Sequence, residues 1–196
     1  MPTMISCILL AAGLSSRFGS PKALATIHGQ AAINTILNHL ITTTCNEIIV
    51  VLGANANQIE PHVLNHKNIR IVYNKDYLLG QTSSCQCGLN ALHQDSQGTF
   101  IWPVDFPFIK STTLISLINA FNETPNKIII PSLDNSRGHP PLLPKTVYQD
   151  LLNLPSTLGI NTLFKLYGNN INHVLVNDPG IHLTFNTPLE LTKLLT

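Results

Sequence analysis

The 196-residue sequence predicts a three-layer, Rossmann-like α/β fold: a mostly parallel central sheet with helices on both faces and a small antiparallel excursion in the C-terminal third. Three observations predict it. Short β-branched runs alternate with stretches of helical period, as in parallel strands joined by crossover helices. Past Ser6 and Glu47 the runs "MISCILLAA" and "EIIVVLGA" are continuously apolar rather than alternating, as in strands covered on both faces. After residue 131 the alternation breaks, and "RGHPPLLP" reads as extended, proline-rich chain.

Taken in order, "MISCILLAA" is the first strand, and "QAAINTILNHLITT" places Ile33, Ile36, Leu37 and Leu40 on one helical face. "EIIVVLGA" is a second strand ending at Gly53. There follow a helix near Asn55 to Leu64, a strand "IRIVYN", a loop around "DYLLGQTSS", a helix "CQCGLNALHQ" and the strand "TFIWPVD". Pro103 donates no ladder hydrogen bond, so a bulge is expected there. The helix "TTLISLINAF" and the strand "KIIIPS" complete the alternation, and "GINTLFKLYG" and "TPLELTKLL" read as short helices. No linker, repeat or low-complexity tract divides the chain, so one domain over residues 1–196 is expected.

Charged residues make up only 11% of the chain, against about 25% in typical domains, so each isolated charge is informative. A net charge of +1 with scattered cations offers no stripe for a nucleic-acid backbone, and no segment has the roughly 18 apolar residues of a membrane span. The opening "MPTMISCILLAAG" lacks the cationic start of a signal peptide and reads as a strand. Cys7, Cys45, Cys85 and Cys87 match no usual zinc or redox spacing; they read as small packing residues of a protein in a reduced cytoplasm.

The first strand breaks into "AAGLSSRFGSPKAL", which holds the only two cations before His66, Arg17 and Lys22. In open α/β sheets the first strand-to-helix turn is the usual phosphate cradle. The loop is neither GxGxxG nor the GxxxxGK[ST] P-loop. Two readings remain: a tight turn with two solvated cations, or a concavity in which backbone N–H groups, Ser15, Ser16 and Ser20 hold an anion that the cations neutralise. Asp105 is the only ionisable residue in "TFIWPVDFPFI" and needs a cation, hydrogen bonds or water. One reading is that it caps the turn before Pro107. His139, in "RGHPPLL", is a structural hydrogen-bonder or an acceptor contact.

The stretch "LAAGLSSRFGSPKAL" resembles the LAAGxSxRMGxxKxLL signature of MobA-like nucleotidyltransferases, most nearly their molybdenum cofactor cytidylyltransferase branch; Phe18 stands where the family commonly has Met. The likeness continues through "VLGANANQI", "GQTSSCQCGLNAL", "PVDFPFI", "RGHPPLL" and "TFNTPLEL", in family order. It implies transfer of CMP from CTP to a phosphorylated acceptor, molybdopterin, with Mg²⁺, and a molybdoenzyme or chaperone as protein partner. It implies that Ala11, Ala12 and Gly13 pack under the nucleotide beside Ser15, that Arg17 holds the β and γ phosphates, and that Lys22 reaches the α-phosphate. Gly80, Gln81 and Ser84 fall in the base-contacting segment, although a polar loop before a helix would look the same, and Gly53 is expected to line the cleft. Asp105 matches the family's metal-binding carboxylate. Where the family reads DIDTPEDL, Thr184 and Asn186 replace two aspartates here, so Asn186 is expected to offer the metal a neutral oxygen. The alternatives are the same transfer to a sugar or polyol phosphate, and a nucleotide-binding protein that has lost turnover.

Overall fold

The strand that opens the chain, β1 (Ile5–Ala11), is buried at every residue and forms the middle of the sheet. The computed structural model describes residues 3–43 and 45–196; Met1 and Pro2 of the opening segment lie outside it. After β1, a two-strand hairpin of β2 (Thr26–Ile27) and β3 (Gln30–Ala31) leads into helix α1 (Ala32–Ile41). Strand β4 (Cys45–Leu52), the short helix α2 (Ala56–Ile59) and strand β5 (Ile69–Tyr73) follow. Then come α3 (Gln81–Asn90), β6 (Gly98–Pro103), α4 (Ser111–Glu123) and β7 (Ile128–Leu133). The C-terminal third adds β8 (Ser136–Arg137), β9 (Leu142–Pro144), α5 (Tyr148–Asn153), α6 (Asn161–Tyr167), β10 (Ile171–Leu175) and α7 (Pro188–Leu195).

The main sheet runs β10-β7-β9-β6-β1-β4-β5, with β8 paired to β7. The neighbours β6-β1-β4-β5 are parallel, as is β10 with β7, whereas β9 runs antiparallel to β6 and β7 and β8 antiparallel to β7. The expected antiparallel excursion is thus β8 and β9. Successive side chains of a strand face opposite ways, and on β1 both ways lead to core. Cys7 and Leu9 pack with Ile33 and Leu37 of α1 and Leu114 and Leu117 of α4, while Ile8 and Leu10 pack with Leu89 of α3, Leu151 of α5 and Leu163 of α6. On the second face α3 lies so close that a Cβ on Gly88 would sit 2.4 Å from Ile8 Cγ2. A third cluster joins α7 to the small hairpin through Phe185, Leu191, Ile27 and Ala32.

Two expectations need correction, and one strand was not foreseen. Pro103 makes no bulge: it is the last residue of β6, in register with Leu10, and a strand's final residue can forgo its donor. The Asn55–Leu64 helix shrinks to α2 and a 3₁₀ turn at Glu60–His62, with Pro61 within that turn. Strand β10 reads too weakly in "INHVL" to be seen by pattern and forms at the sheet edge on β7.

All four cysteines are free thiols; Cys7, Cys45 and Cys85 are buried and Cys87 is half-buried. Burial pushes the Cys45 and Cys85 thiols up to about 12, so both remain protonated packing groups. No helix among the described residues is long and apolar enough to cross a membrane.

Candidate active site

Two clefts open at the carboxyl ends of the parallel strands and meet at Asp105. The first, about 410 Å³, is floored by Ala11, Ala12 and Gly13 and lined by Ser15, Arg17, Lys22, Gly80, Gln81, Ser84, Asp105 and Asn186. The second, about 470 Å³, shares Gln81, Pro103 and Asp105 and adds Phe106, Ile130, Arg137, Gly138, His139, Ile160, Asn161 and Phe164. Every expected nucleotide-side residue except Gly53 lines the first cleft.

The loop after β1 is shaped by Ser15 and Gly19, both in the left-handed region at φ 52° and 82°. Ser15 holds it closed: its carbonyl accepts from the N–H groups of Phe18 and Gly19, and its Oγ accepts from Lys22 N at 3.1 Å. Phe18 packs on Phe185 with ring centroids 5.4 Å apart. That contact ties the loop to the segment carrying Asn186. On the other side, Thr187 caps α7 by accepting from Glu190 N, while Glu190 reaches back past the cap to accept from Asn186 N at 2.6 Å, which fixes the backbone of Asn186.

These constraints bring together side chains far apart in sequence. Lys22 Nζ lies 3.0 Å from Asp105 Oδ2 and 2.8 Å from Asn186 Oδ1, and Arg17 also donates to Asn186 Oδ1 at 2.9 Å. The carboxylate and the amide oxygen therefore already address a single cation, the Lys22 ammonium. Asp105 is aimed by the turn after β6, where Val104 N bonds Leu10 O and Trp102 Nε1 bonds Phe106 O.

Gly53 lies behind the cleft rather than in it, which corrects its expected position. A Cβ there would come within 2.7 Å of Tyr77 Cβ and 2.9 Å of Ala12 Cβ. Its bare backbone lets Ala12 and Tyr77 close the floor. Ser84 is buried, with Oγ accepting from Asn74 Nδ2 at 3.0 Å and its own proton still to place. Gln81 stands exposed at the first turn of α3 after Gly80, whose φ of 103° requires glycine.

His139 belongs to the second cleft. Its ring lies against Phe106, centroids 4.2 Å apart, and burial lowers its pKa, so it enters the site as a neutral imidazole. Its buried Nδ1 has no partner among the described residues. Two residues escaped the reading of the sequence. Arg137 stands two residues before His139 in "RGHPPLL", where the histidine alone was given a role. Asp178, 2% exposed, accepts from Lys110 N, Thr113 Oγ1 and Gly180 N and anchors the turn whose Ile181 carbonyl accepts from His139 N. An Asp directly before Pro-Gly was the available signal.

A parallel sheet whose carboxyl edge gathers two loop cations, a carboxylate and an amide oxygen around one cleft is the frame of a nucleotide-handling enzyme. The chain belongs to the family of the MobA-like NTP transferase domain, which matches residues 7–173. It is 26% identical over 184 residues to molybdenum cofactor cytidylyltransferase of Escherichia coli K12, spanning 94% of this chain and 92% of that protein. It is also 33% identical over 144 residues to nicotine blue oxidoreductase of Paenarthrobacter nicotinovorans, 69% of each chain. Among solved structures it resembles Rv0371C of Mycobacterium tuberculosis in complex with manganese, with a TM-score of 0.77, 22% identity and 98% of both chains covered.

Proposed function

We propose that this nucleotidyltransferase moves CMP from CTP onto a phosphorylated acceptor and releases pyrophosphate. The observation that supports it most is the convergence of Arg17, Lys22, Asp105 and Asn186 at one point over Ala11, Ala12 and Gly13. Two fixed cations in the first loop suit a triphosphate, and nothing comparable is needed for the redox chemistry implied by one relative's name. The acceptor favoured is molybdopterin, by analogy with the cytidylyltransferase.

In this reading Arg17 holds the outer phosphates and Lys22 leaves Asp105 for the α-phosphate. An acceptor phosphate oxygen attacks the α-phosphorus from the second cleft, the bond to the bridging oxygen breaks, and pyrophosphate leaves on the Arg17 side. A phosphate monoester has its second pKa near 6 and is largely ionised at neutral pH, so no general base is needed. Ala12, pressed from behind by Gly53, narrows the floor and favours a pyrimidine, with Gly80, Gln81 and Ser84 facing the base.

Asp105 and Asn186 would hold a divalent ion: both offer oxygen and both already face one cation. Among the described residues no three His, Cys, Asp or Glu groups gather for a metal, so the remaining ligands would be triphosphate oxygens and water. Such an ion, Mg²⁺ or the manganese of the structural relative, would supply positive charge to the leaving pyrophosphate.

The test is pyrophosphate release from CTP, GTP, UTP and ATP with molybdopterin, and with sugar and polyol phosphates, under Mg²⁺ and Mn²⁺. CTP with molybdopterin is expected to be fastest. The margin over GTP is modest, since one methyl group is worth about 1–3 kcal/mol. CTP binding without pyrophosphate release from any acceptor overturns the reading in favour of a binding protein.

A further inference from the structure

The chain has 11 lysines and arginines, and three of them line the two clefts: Arg17 and Lys22 the first, Arg137 the second. Arg17 and Lys22 are held by Asp105 and Asn186, whereas the Arg137 side chain has no hydrogen bond or ion pair among the described residues and lies exposed at the cleft. Its guanidinium stands over the Phe164 ring, 5.9 Å from the centroid, a placement that orients the fork without occupying its donors.

The backbone beneath it is held firmly. Asp134 and Asn135 take φ of 50° and 61°, the two left-handed residues of a tight hairpin turn between β7 and β8, where Asp and Asn are well tolerated. Gly138 N bonds Pro131 O, His139 N bonds Ile181 O, and Gly138 is packed so closely that a Cβ would meet Ile181 at 2.6 Å. A free guanidinium on a rigid edge, facing a cleft whose only carboxylate is Asp105, is a ready anion site.

We propose that Arg137 anchors the acceptor, binding the phosphate of a monoester whose flat body lies against Phe106 and the tilted ring of His139. The proposal rests on the transferase reading above and deepens it. Arg137 is the one cation of the second cleft. Burial keeps His139 neutral, so it cannot offset the roughly −1.5 to −2 charge of a phosphate monoester. Phe106, Ile130, Ile160 and Phe164 give the cleft apolar wall for a ring, and Gln81 and Asn161 add amides that can bond polar groups on the body of the acceptor. Arg137 thereby brings a phosphate oxygen toward Asp105 and Lys22, where the clefts meet.

The test uses 4-methylumbelliferyl phosphate, a flat fluorescent monoester, and phosphate-free 4-methylumbelliferone, titrated into wild-type protein, R137Q, R137K and R17Q. The ester is expected to bind R137Q at least tenfold more weakly than wild type and R137K with intermediate affinity. R17Q, altered in the other cleft, should keep wild-type affinity, and the phosphate-free probe should not distinguish wild type from R137Q. Ester affinity should rise with pH through the second phosphate ionisation in wild type and stay flat in R137Q. Equal ester affinity in wild type and R137Q at equal thermal midpoints, a loss in R17Q instead, or no ester binding to wild type at millimolar concentration overturns the proposal. CTP binding is measured separately: its absence from wild type sinks the transferase reading, while the ester titration still judges Arg137.

Discussion

The parallel strands end in two polar clusters of opposite character. At the amino ends, Glu47 of β4 accepts from Ser6 Oγ at 3.1 Å, Arg70 at 3.0 Å and His93 N at 3.1 Å, and Ser6 continues to Ser96 and Tyr148. Arg70 also donates to Ala91 O. Each group there is paired with another part of the protein, which locks β1, β4, β5 and the turn after α3 together. At the carboxyl ends, Asn186 Oδ1 serves two cations at once, while among the described residues Arg137 is unpaired and His139 Nδ1 has no partner. Buried polar networks that satisfy themselves stabilise a fold. Groups left converging on open space are arranged for something that arrives from outside.

The contrast breaks most sharply at Lys22. Lys22→Met should lower kcat/KM at least a hundredfold, about 2.7 kcal/mol of transition-state stabilisation, with the thermal midpoint almost unmoved. Near wild-type turnover would make Lys22 a mere partner of Asp105. The same variant should raise Mn²⁺ affinity in nucleotide-free protein, because the ammonium no longer occupies the space between the two oxygens; electron spin resonance of free Mn²⁺ reads this directly.

Glu47→Ala should do the reverse, costing about 1–3 kcal/mol of stability by stranding its donors and leaving the turnover of folded protein intact. Denaturant melts beside kinetics separate the two ends. An unchanged melt would mean that the amino-end network carries little.

Asn186 sharpens the comparison. Asn186→Asp should tighten Mg²⁺ binding without nucleotide, and Asn186→Ala should impair turnover; calorimetry flat for the first, with full activity for the second, would remove Asn186 from the site.

The smallest effect belongs to His139. Burial lowers its folded pKa, so below about 6.5 the unfolded chain binds a proton that the folded chain refuses. Its contribution is whole above that pH and declines as pH falls from there toward the depressed folded value. His139→Gln should flatten this part of the stability curve between pH 7 and 5, measured by urea unfolding; an unaltered slope would show that another group sets it.

Periodicity and loop chemistry are local, and they were legible before folding. The long apolar runs of β1 and β4 announced a sheet buried on both faces, the helical spacing of Ile33, Ile36, Leu37 and Leu40 announced α1, and two lone cations after β1 marked the cleft. Gly53 and Pro103 were misjudged because a floor and a strand end are defined by neighbours: Tyr77 and Ala12 for the one, the register with Leu10 for the other. The pairing of Lys22 with Asn186, 164 positions away, was decided only in three dimensions, as were the saturation of Glu47 and the freedom of Arg137. A charge in sequence carries its chemistry but not its partner, and whether that partner is another side chain or an incoming phosphate depends on which strand ends and loops the sheet brings to the same edge.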